Sequence, residues 1–237
     1  MLQLRQRDGL SGGDFGWLKA RHHFRVRPEG NPAHAQIGAL IVWNDDEIAP
    51  GTGFDFHGHR DMEIISYVIQ GAVTHRDTIG SEGRTEAGDV QVMSAGTGIR
   101  HSEYNKGDIP LKLFQIWLLP RTRGGEPDWS ARQFPKADRA GQLVTLASGD
   151  PRDADALPIR ADARVLGATL MAGDAVSYEL AEGRNAYLAP ARGVVTVNGR
   201  RLELGDGLAA IAERRLDIRA EADAEIVLVD AGPAPAE

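Results

Sequence analysis

Short β-rich runs separated by glycine turns, with no long amphipathic helix between them, constrain what this chain can fold into more than any other feature. Ala39 to Trp43 reads as a strand closed by a turn at Asn44-Asp45-Asp46. Ile64 to Ile69 reads as a strand by its β-branched and aromatic content, is bounded by Gly71, and is followed by Val73 to Asp77. Gly80 to Gly83 marks a hairpin turn, and Ala87-Gly88-Asp89 and Ser94 to Gly98 mark two further breaks. Leu111 to Leu119 is apolar on both faces, so it belongs between two layers rather than at a surface. This punctuation predicts an all-β sandwich or barrel. The segment before Ala39 has weaker periodicity and reads as a short strand with loops.

A chain of 237 residues fits one large domain or two smaller ones. From Pro120 to about Ala140 the composition shifts to Arg, Gly, Pro, Asp and Gln, which predicts a connector with one short helical turn. Beyond it the earlier pattern returns in degraded form. Gly193-Val194-Val195-Thr196-Val197 resembles Gly71-Ala72-Val73-Thr74-His75, and Leu204-Gly205-Asp206 resembles Ala87-Gly88-Asp89. Asn198-Gly199, the strongest two-residue hairpin signal, replaces the longer loop from Thr78 to Arg84. Two domains of one architecture are expected, residues 1–134 and 135–237.

All seven histidines lie in the first 101 residues, so imidazole chemistry belongs to the first half. In a strand, residues two apart point to one face. His57 with His59, and His101 with Glu103, can therefore deliver four ligand atoms from two strands into a common interior. The absence of cysteine leaves nitrogen and oxygen as the donors, and three His with one carboxylate suit a divalent first-row metal with positions left for other molecules. Fe(II) is the first expectation, with Mn, Ni, Cu and Zn as alternatives. In the second half, Ala212-Glu213-Arg214-Arg215 stands where the first has His101-Ser102-Glu103, so that half is expected to hold no metal. Glu63 reads as a satisfied acidic residue at a strand start, with a fifth-ligand or imidazole-partner role as the alternative. His75 reads as structural or as a pocket residue. His22-His23 reads as either a surface pair or a pair at the mouth of the site, and His34 as a loop residue. Gln115 and Trp117 share strand parity and are expected to point inward, and Phe54, Phe56 and Tyr104 are expected in core packing.

At these residues the chain resembles the pirin-type bicupins. Gly51, His57-x-His59, Glu63 and Gly71 resemble the first cupin motif; Gly88, Ser94, Gly96, His101 and Asn105 resemble the second. Departures are Ser94 where cupins generally carry proline, a longer spacing from Gly96 to His101, and Gly58 where pirins often have proline. Asn44-Asp45-Asp46, Asp61-Met62-Glu63-Ile64 and the run from Met93 to Asn105 are similar to bacterial pirins described as quercetin 2,3-dioxygenases. The resemblance implies two tandem cupin (double-stranded β-helix, jelly-roll) barrels, with metal ligands at His57, His59, His101 and Glu103 and none in the second barrel.

It also implies an activity: a flavonol binds through its 3-hydroxyl and 4-carbonyl oxygens, is deprotonated, and reacts with O2 to open its heterocyclic ring and release carbon monoxide. Glu103 then either stays on the metal or takes the hydroxyl proton. The resemblance equally allows a metal- or redox-responsive protein that regulates a partner enzyme or transcription factor. A formal charge of -7 without a long basic run argues against direct nucleic-acid binding. No stretch reaches the apolar length of a membrane span and the first residues lack a signal-peptide core, so a cytoplasmic location is expected; a monomer is expected because two cupins in one chain can cover each other's sheets. No Gly-rich phosphate loop or G-x-S-x-G elbow is present, which removes support for nucleotide chemistry and serine hydrolysis.

Overall fold

Alternating and fully apolar β-rich runs must bury their side chains while pairing their backbone groups, and the computed structural model, which describes residues 1–26 and 30–235, shows how. In chain order the strands are β1 (Leu2–Arg5), β2 (Ser11–Asp14), β3 (Leu18–His22), β4 (Leu40–Ile48), β5 (Gly53–His59), β6 (Glu63–Gln70), β7 (Ala72–Asp77), β8 (Glu82–Glu86), β9 (Val90–Ser94), β10 (Ile99–Tyr104), β11 (Leu111–Leu118), β12 (Asp128–Arg132), β13 (Val144–Ser148), β14 (Leu157–Pro158), β15 (Ala163–Leu170), β16 (Ala175–Glu179), β17 (Asn185–Arg192), β18 (Val195–Val197), β19 (Arg200–Leu202), β20 (Gly207–Ala210), β21 (Arg215–Ala220) and β22 (Ala224–Ala231). Helical structure among the described residues is limited to 3₁₀ turns at Arg7–Gly9 and Lys136–Arg139. Among the described residues, no helix is long and apolar enough to cross a membrane.

Two barrels repeat one plan. The first joins a seven-stranded sheet, β12-β9-β6-β11-β4-β3-β2, to a four-stranded sheet, β5-β10-β7-β8; the second joins β1-β20-β17-β22-β15-β13-β14 to β16-β21-β18-β19. The predicted hairpin at Asn198-Gly199 joins β18 to β19, with φ of 45° and 78° at its two central residues, as a type I′ turn requires. β11 lies between β4 and β6 and is buried on both faces, as its composition requires. Each large sheet borrows an outer strand from elsewhere in the chain. β1 pairs with β20 of the second barrel, and the connector contributes β12, which pairs with β9 of the first. The division expected at residue 134 is thus crossed by the chain's first strand, and the connector is part of a sheet as well as a helical turn.

The turn expected at Asn44-Asp45-Asp46 is instead the middle of β4, which is paired on both sides, with β3 and with β11. Two neighbouring strands satisfy its backbone, which outweighs the turn preference of three polar side chains. Odd and even positions of β4 face different worlds: Trp43 packs in the cluster between the barrels with Phe114, Tyr67, Tyr187 and Val229, while Ile48 packs inside the first barrel with Leu111, Leu113 and Val68. The second interior is filled by aliphatic residues such as Leu166, Leu188, Leu216, Ile218, Ile226 and Leu228.

Candidate metal centre

The strands β5 and β10 are antiparallel, with His57 directly opposite His101. Beyond this pair the register slips, because Glu103 pairs with Phe54 rather than with Asp55. One extra residue on β5 makes a bulge, which re-aims the side chains beside it. Phe54 turns into the barrel and packs edge-on against Trp17 at 5.1 Å, whereas Phe56 is left 44% exposed, against the expectation of core packing. Tyr104 is half-buried and its hydroxyl donates to the Asp55 carboxylate.

The rings of His57, His59 and His101 converge, with centroid separations of 4.5 Å between His57 and His101, 4.8 Å between His57 and His59, and 5.0 Å between His59 and His101. One ligand atom from each lies within 4.8 Å of the others. His57 Nδ1 sits 2.8 Å from the Asp55 carbonyl, a hydrogen bond that places the ring proton on Nδ1 and leaves the Nε2 lone pair free. The Nε2 atoms of His59 and His101 are buried and have no hydrogen-bond partner among the described residues. An unpartnered buried ring nitrogen costs about 1–3 kcal/mol, and two of them aimed into one imidazole cluster fit a metal ion. Burial, then the neighbouring rings of His101 and His57, lowers the pKa of His59 to about 4; burial, then His57 and His75, lowers that of His101 to about 3. Both rings are therefore neutral at physiological pH, as ligation requires.

Glu103 belongs to an adjacent group. Its carboxylate lies within 4.8 Å of His101 and His75 donor atoms, and that group does not include His57 or His59. The carboxylate is held from three strands: Gln91 Nε2 donates to Oε1 at 2.7 Å, Ser66 Oγ donates to the same oxygen at 3.3 Å, and Gln115 Nε2 donates to Oε2 at 2.7 Å. Trp117 Nε1 donates to the Gln115 carbonyl oxygen at 3.3 Å, which turns the amide so that its NH2 faces Glu103, and the Trp117 ring meets His59 edge-on at 5.0 Å. Gln115 and Trp117 thus point inward, as their parity predicts.

His75 is fully buried, stacked on Trp129 of β12 at 4.8 Å with an interplanar angle of 6°. Its Nε2 donates to Asp77 Oδ2 at 2.9 Å, leaving Nδ1 to accept from His101 Nδ1 at 3.4 Å. The row from Asp77 through His75 to His101 places the His101 proton on Nδ1 and frees its Nε2, the usual role of an outer partner of a ligating imidazole.

The other candidates lie elsewhere. Glu63 accepts from Ser94 Oγ at 2.6 Å and from the Arg160 backbone N–H of the second barrel at 2.9 Å, so it is a satisfied acid at the start of β6. His23 is far from the mouth of the site: its Nδ1 meets Tyr187 Oη at 2.8 Å in the interface between barrels, and burial followed by the charge of Arg5 lowers its pKa to about 3. His22 is half-buried on β3 opposite Asn44, and His34 is a buried loop residue 3.3 Å from the Asn31 amide.

Sequence reasoning missed Ser66, Asp46, Asp77, Gln91 and Trp129. Ser66 and Gln91 are polar residues inside otherwise apolar strands, a signal that was present in the sequence. Asp46 was hidden by the turn assignment; it is 2% exposed, and burial, then Asp45 and Glu103, raises its pKa to about 8.

Two tandem β-barrels, one with an imidazole cluster beside a held carboxylate and one filled with aliphatic side chains, define a bicupin. A family model described as pirin matches residues 4–118, and one described as the quercetinase C-terminal cupin domain matches residues 145–231. A pirin-like protein of Caulobacter vibrioides is 57% identical over 98% of this chain and all of its own length. The quercetin 2,3-dioxygenase of Escherichia coli K12 is 38% identical over 98% of this chain and all of its own. The crystal structure of the bacterial pirin YhhW from Escherichia coli in complex with nickel(II) superposes with a TM-score of 0.91 at 36% identity, covering 98% of this chain and 100% of that one. The chain belongs to the pirin family.

Proposed function

We propose that this protein is a metal-dependent dioxygenase that opens the heterocyclic ring of flavonols such as quercetin with O2 and releases carbon monoxide. The observation that carries the reading is the pair of buried Nε2 atoms of His59 and His101, unpartnered among the described residues, facing His57 beside a carboxylate gripped by two amides. The quercetin 2,3-dioxygenase names of relatives such as that of Escherichia coli supply the substrate class.

His57, His59 and His101 would hold the metal through nitrogen, with Glu103 as the carboxylate of the set. When bound, a divalent first-row ion, Fe(II) in this proposal, supplies Lewis acidity toward the flavonol oxygens and redox chemistry toward O2. The chain's own residues do the rest. His57 and His59 are half-buried whereas His101 and Glu103 are 1% and 3% exposed, so substrate approaches from the His57–His59 side. Glu103 Oε1 accepts from Gln91 and Ser66, while Oε2 accepts, among the described residues, from Gln115 alone. Oε2 therefore keeps a lone pair for the proton of the 3-hydroxyl. Gln115, fixed by Trp117, holds that oxygen in place while the proton moves.

The test is oxygen uptake by metal-replete protein with quercetin, together with loss of flavonol absorbance and detection of carbon monoxide. All three signals are expected; persistence of the flavonol would refute the assignment. Glu103→Gln then separates two roles, since loss of turnover with metal retained marks a proton acceptor and loss of metal marks a ligand.

A further inference from the structure

A second cleft of about 650 Å³ lies between the barrels, away from the imidazole cluster. It takes Lys19 and Arg21 from β3, Lys112 from β11, Lys136 from the connector, Arg192 from β17 and Arg7 from the first 3₁₀ turn. Against these six cations stand three carboxylates, Asp45, Glu47 and Glu225. That excess of positive charge sits in a protein whose formal charge is -7.

The ion pairs leave the arginines over. Lys19, Glu47 and Lys112 are aligned across β3, β4 and β11, and Glu47 receives both ammonium groups, at 3.1 and 3.3 Å. Lys136 reaches Glu225 at 2.5 Å. Asp45 feels the charges of Arg21, Arg7 and Lys112 without an ion pair to any of them among the described residues. The guanidinium groups of Arg7, Arg21 and Arg192 likewise form no ion pair among the described residues, yet they come to one cleft from three separate segments. Like charges brought together repel, and a bound anion relieves that repulsion. Planar guanidinium forks suit oxyanions in particular, and the cleft has the volume of a small-molecule site. Ile69, Ala191 and the half-exposed Leu204 add apolar surface beside the charges, for the body of an organic ligand.

We infer that this cleft is a second binding site, for a small organic polyanion whose charge is carried by phosphate or by clustered carboxylates. Such a ligand touches both barrels at once, through Arg21 on one side and Arg192 on the other. It also lies against the odd-numbered face of β4, while the even-numbered Asp46 faces the barrel interior.

Calorimetric titration of the full metal-loaded chain with glucose 6-phosphate and, separately, with propane-1,2,3-tricarboxylate tests the site at a fixed ionic strength of about 0.15 M. One saturable site with Kd below about 1 mM is expected for at least one probe, and the tighter probe identifies the charged group. Arg21→Gln and Arg192→Gln are each expected to weaken binding at least about tenfold, with Arg84→Gln, on an exposed strand of the first barrel, as the unchanged control. Thermal melts confirm that the variants are folded, and the exposed Arg7→Gln serves as a further variant if Arg21→Gln is not. The site is overturned by the absence of saturable binding of either probe, or by binding that survives in the folded arginine variants, as direct coordination to the metal would.

Discussion

On β5 and β10 of the first barrel the inward positions carry His57, His59, His101 and Glu103, whereas β16 and β21 of the second turn Val176, Tyr178, Leu216 and Ile218 toward an aliphatic core. Both pairs of strands occupy the same place in matching four-stranded sheets. The backbone ladder therefore tolerates either content, and the difference is one of interior energetics. Leu216, Ile218 and their neighbours stabilise the second barrel simply by leaving water. The first barrel buries Ser66, Gln91, Gln115 and Glu103, which is tolerable because each is hydrogen-bonded to another. Among the described residues, the polar atoms of the first barrel left without a partner include the imidazole Nε2 atoms of His59 and His101, Oδ1 of Asn44 and of Asp46, and Nε1 of Trp129 beside His75. Two of these are ring nitrogens in one imidazole cluster.

The most severe way to break this comparison is to put a charge in the second barrel. Ile218→Asp places an unpaired carboxylate in an aliphatic core and is expected to cost about 3–5 kcal/mol in urea unfolding. A much smaller loss would mean that the second interior also admits polar groups. In the first barrel, His101→Ala is expected to lower metal affinity more than about 100-fold, beyond the usual effect of an outer partner. Elemental analysis of the purified protein checks it, and full metal content would exclude His101 as a ligand. Gln115→Leu, which frees one oxygen of Glu103, is expected to reduce turnover about 10–100-fold. An unchanged rate would show that the amide grip is structural only.

Asp46 sharpens the contrast through pH. Its carboxyl ionises near about 4 when unfolded but at about 8 in the folded protein, where burial is the main cause. Between those values the folded state holds more protons, so stability falls as pH rises through the interval, by at most about 1.4 kcal/mol per unit. Asp46→Asn is expected to flatten that slope in metal-free protein and to raise stability on the alkaline side; an unchanged profile would show that the group ionises freely. The smallest effect belongs to the hairpin that distinguishes the second barrel. Gly199→Ala, at φ 78°, is expected to cost about 1 kcal/mol by thermal or urea unfolding, and no loss would mean the turn had changed type.

Much of the architecture was legible along the chain. β6, β7 and β11 fall where β-branched content and bounding glycines place them, and Asn198-Gly199 makes its hairpin. The counterpart of β10 was misplaced: it is β21, from Arg215 to Ala220, while Ala212 to Arg214 form the loop before it. The repeat was too degraded for direct matching of residues, because aliphatic positions inside a strand carry no landmark comparable to His-x-Glu. The role of Asp46 was illegible for a different reason, since three successive polar residues look the same in a turn and in a doubly paired strand.

By itself the sequence determined the parity of His57 with His59 and of Gln115 with Trp117, and the glycine turns such as Asn198-Gly199. Both follow from local backbone geometry, which a residue carries wherever the strand ends up. Only the tertiary structure decided that His57 lies opposite His101, that a bulge separates Glu103 from that pairing, and that Gln91, Ser66 and Gln115 close around the carboxylate. Those outcomes depend on which distant strands become neighbours and on how deeply they are buried. Burial in turn decided which polar atoms found partners and left the Nε2 atoms of His59 and His101 without one among the described residues.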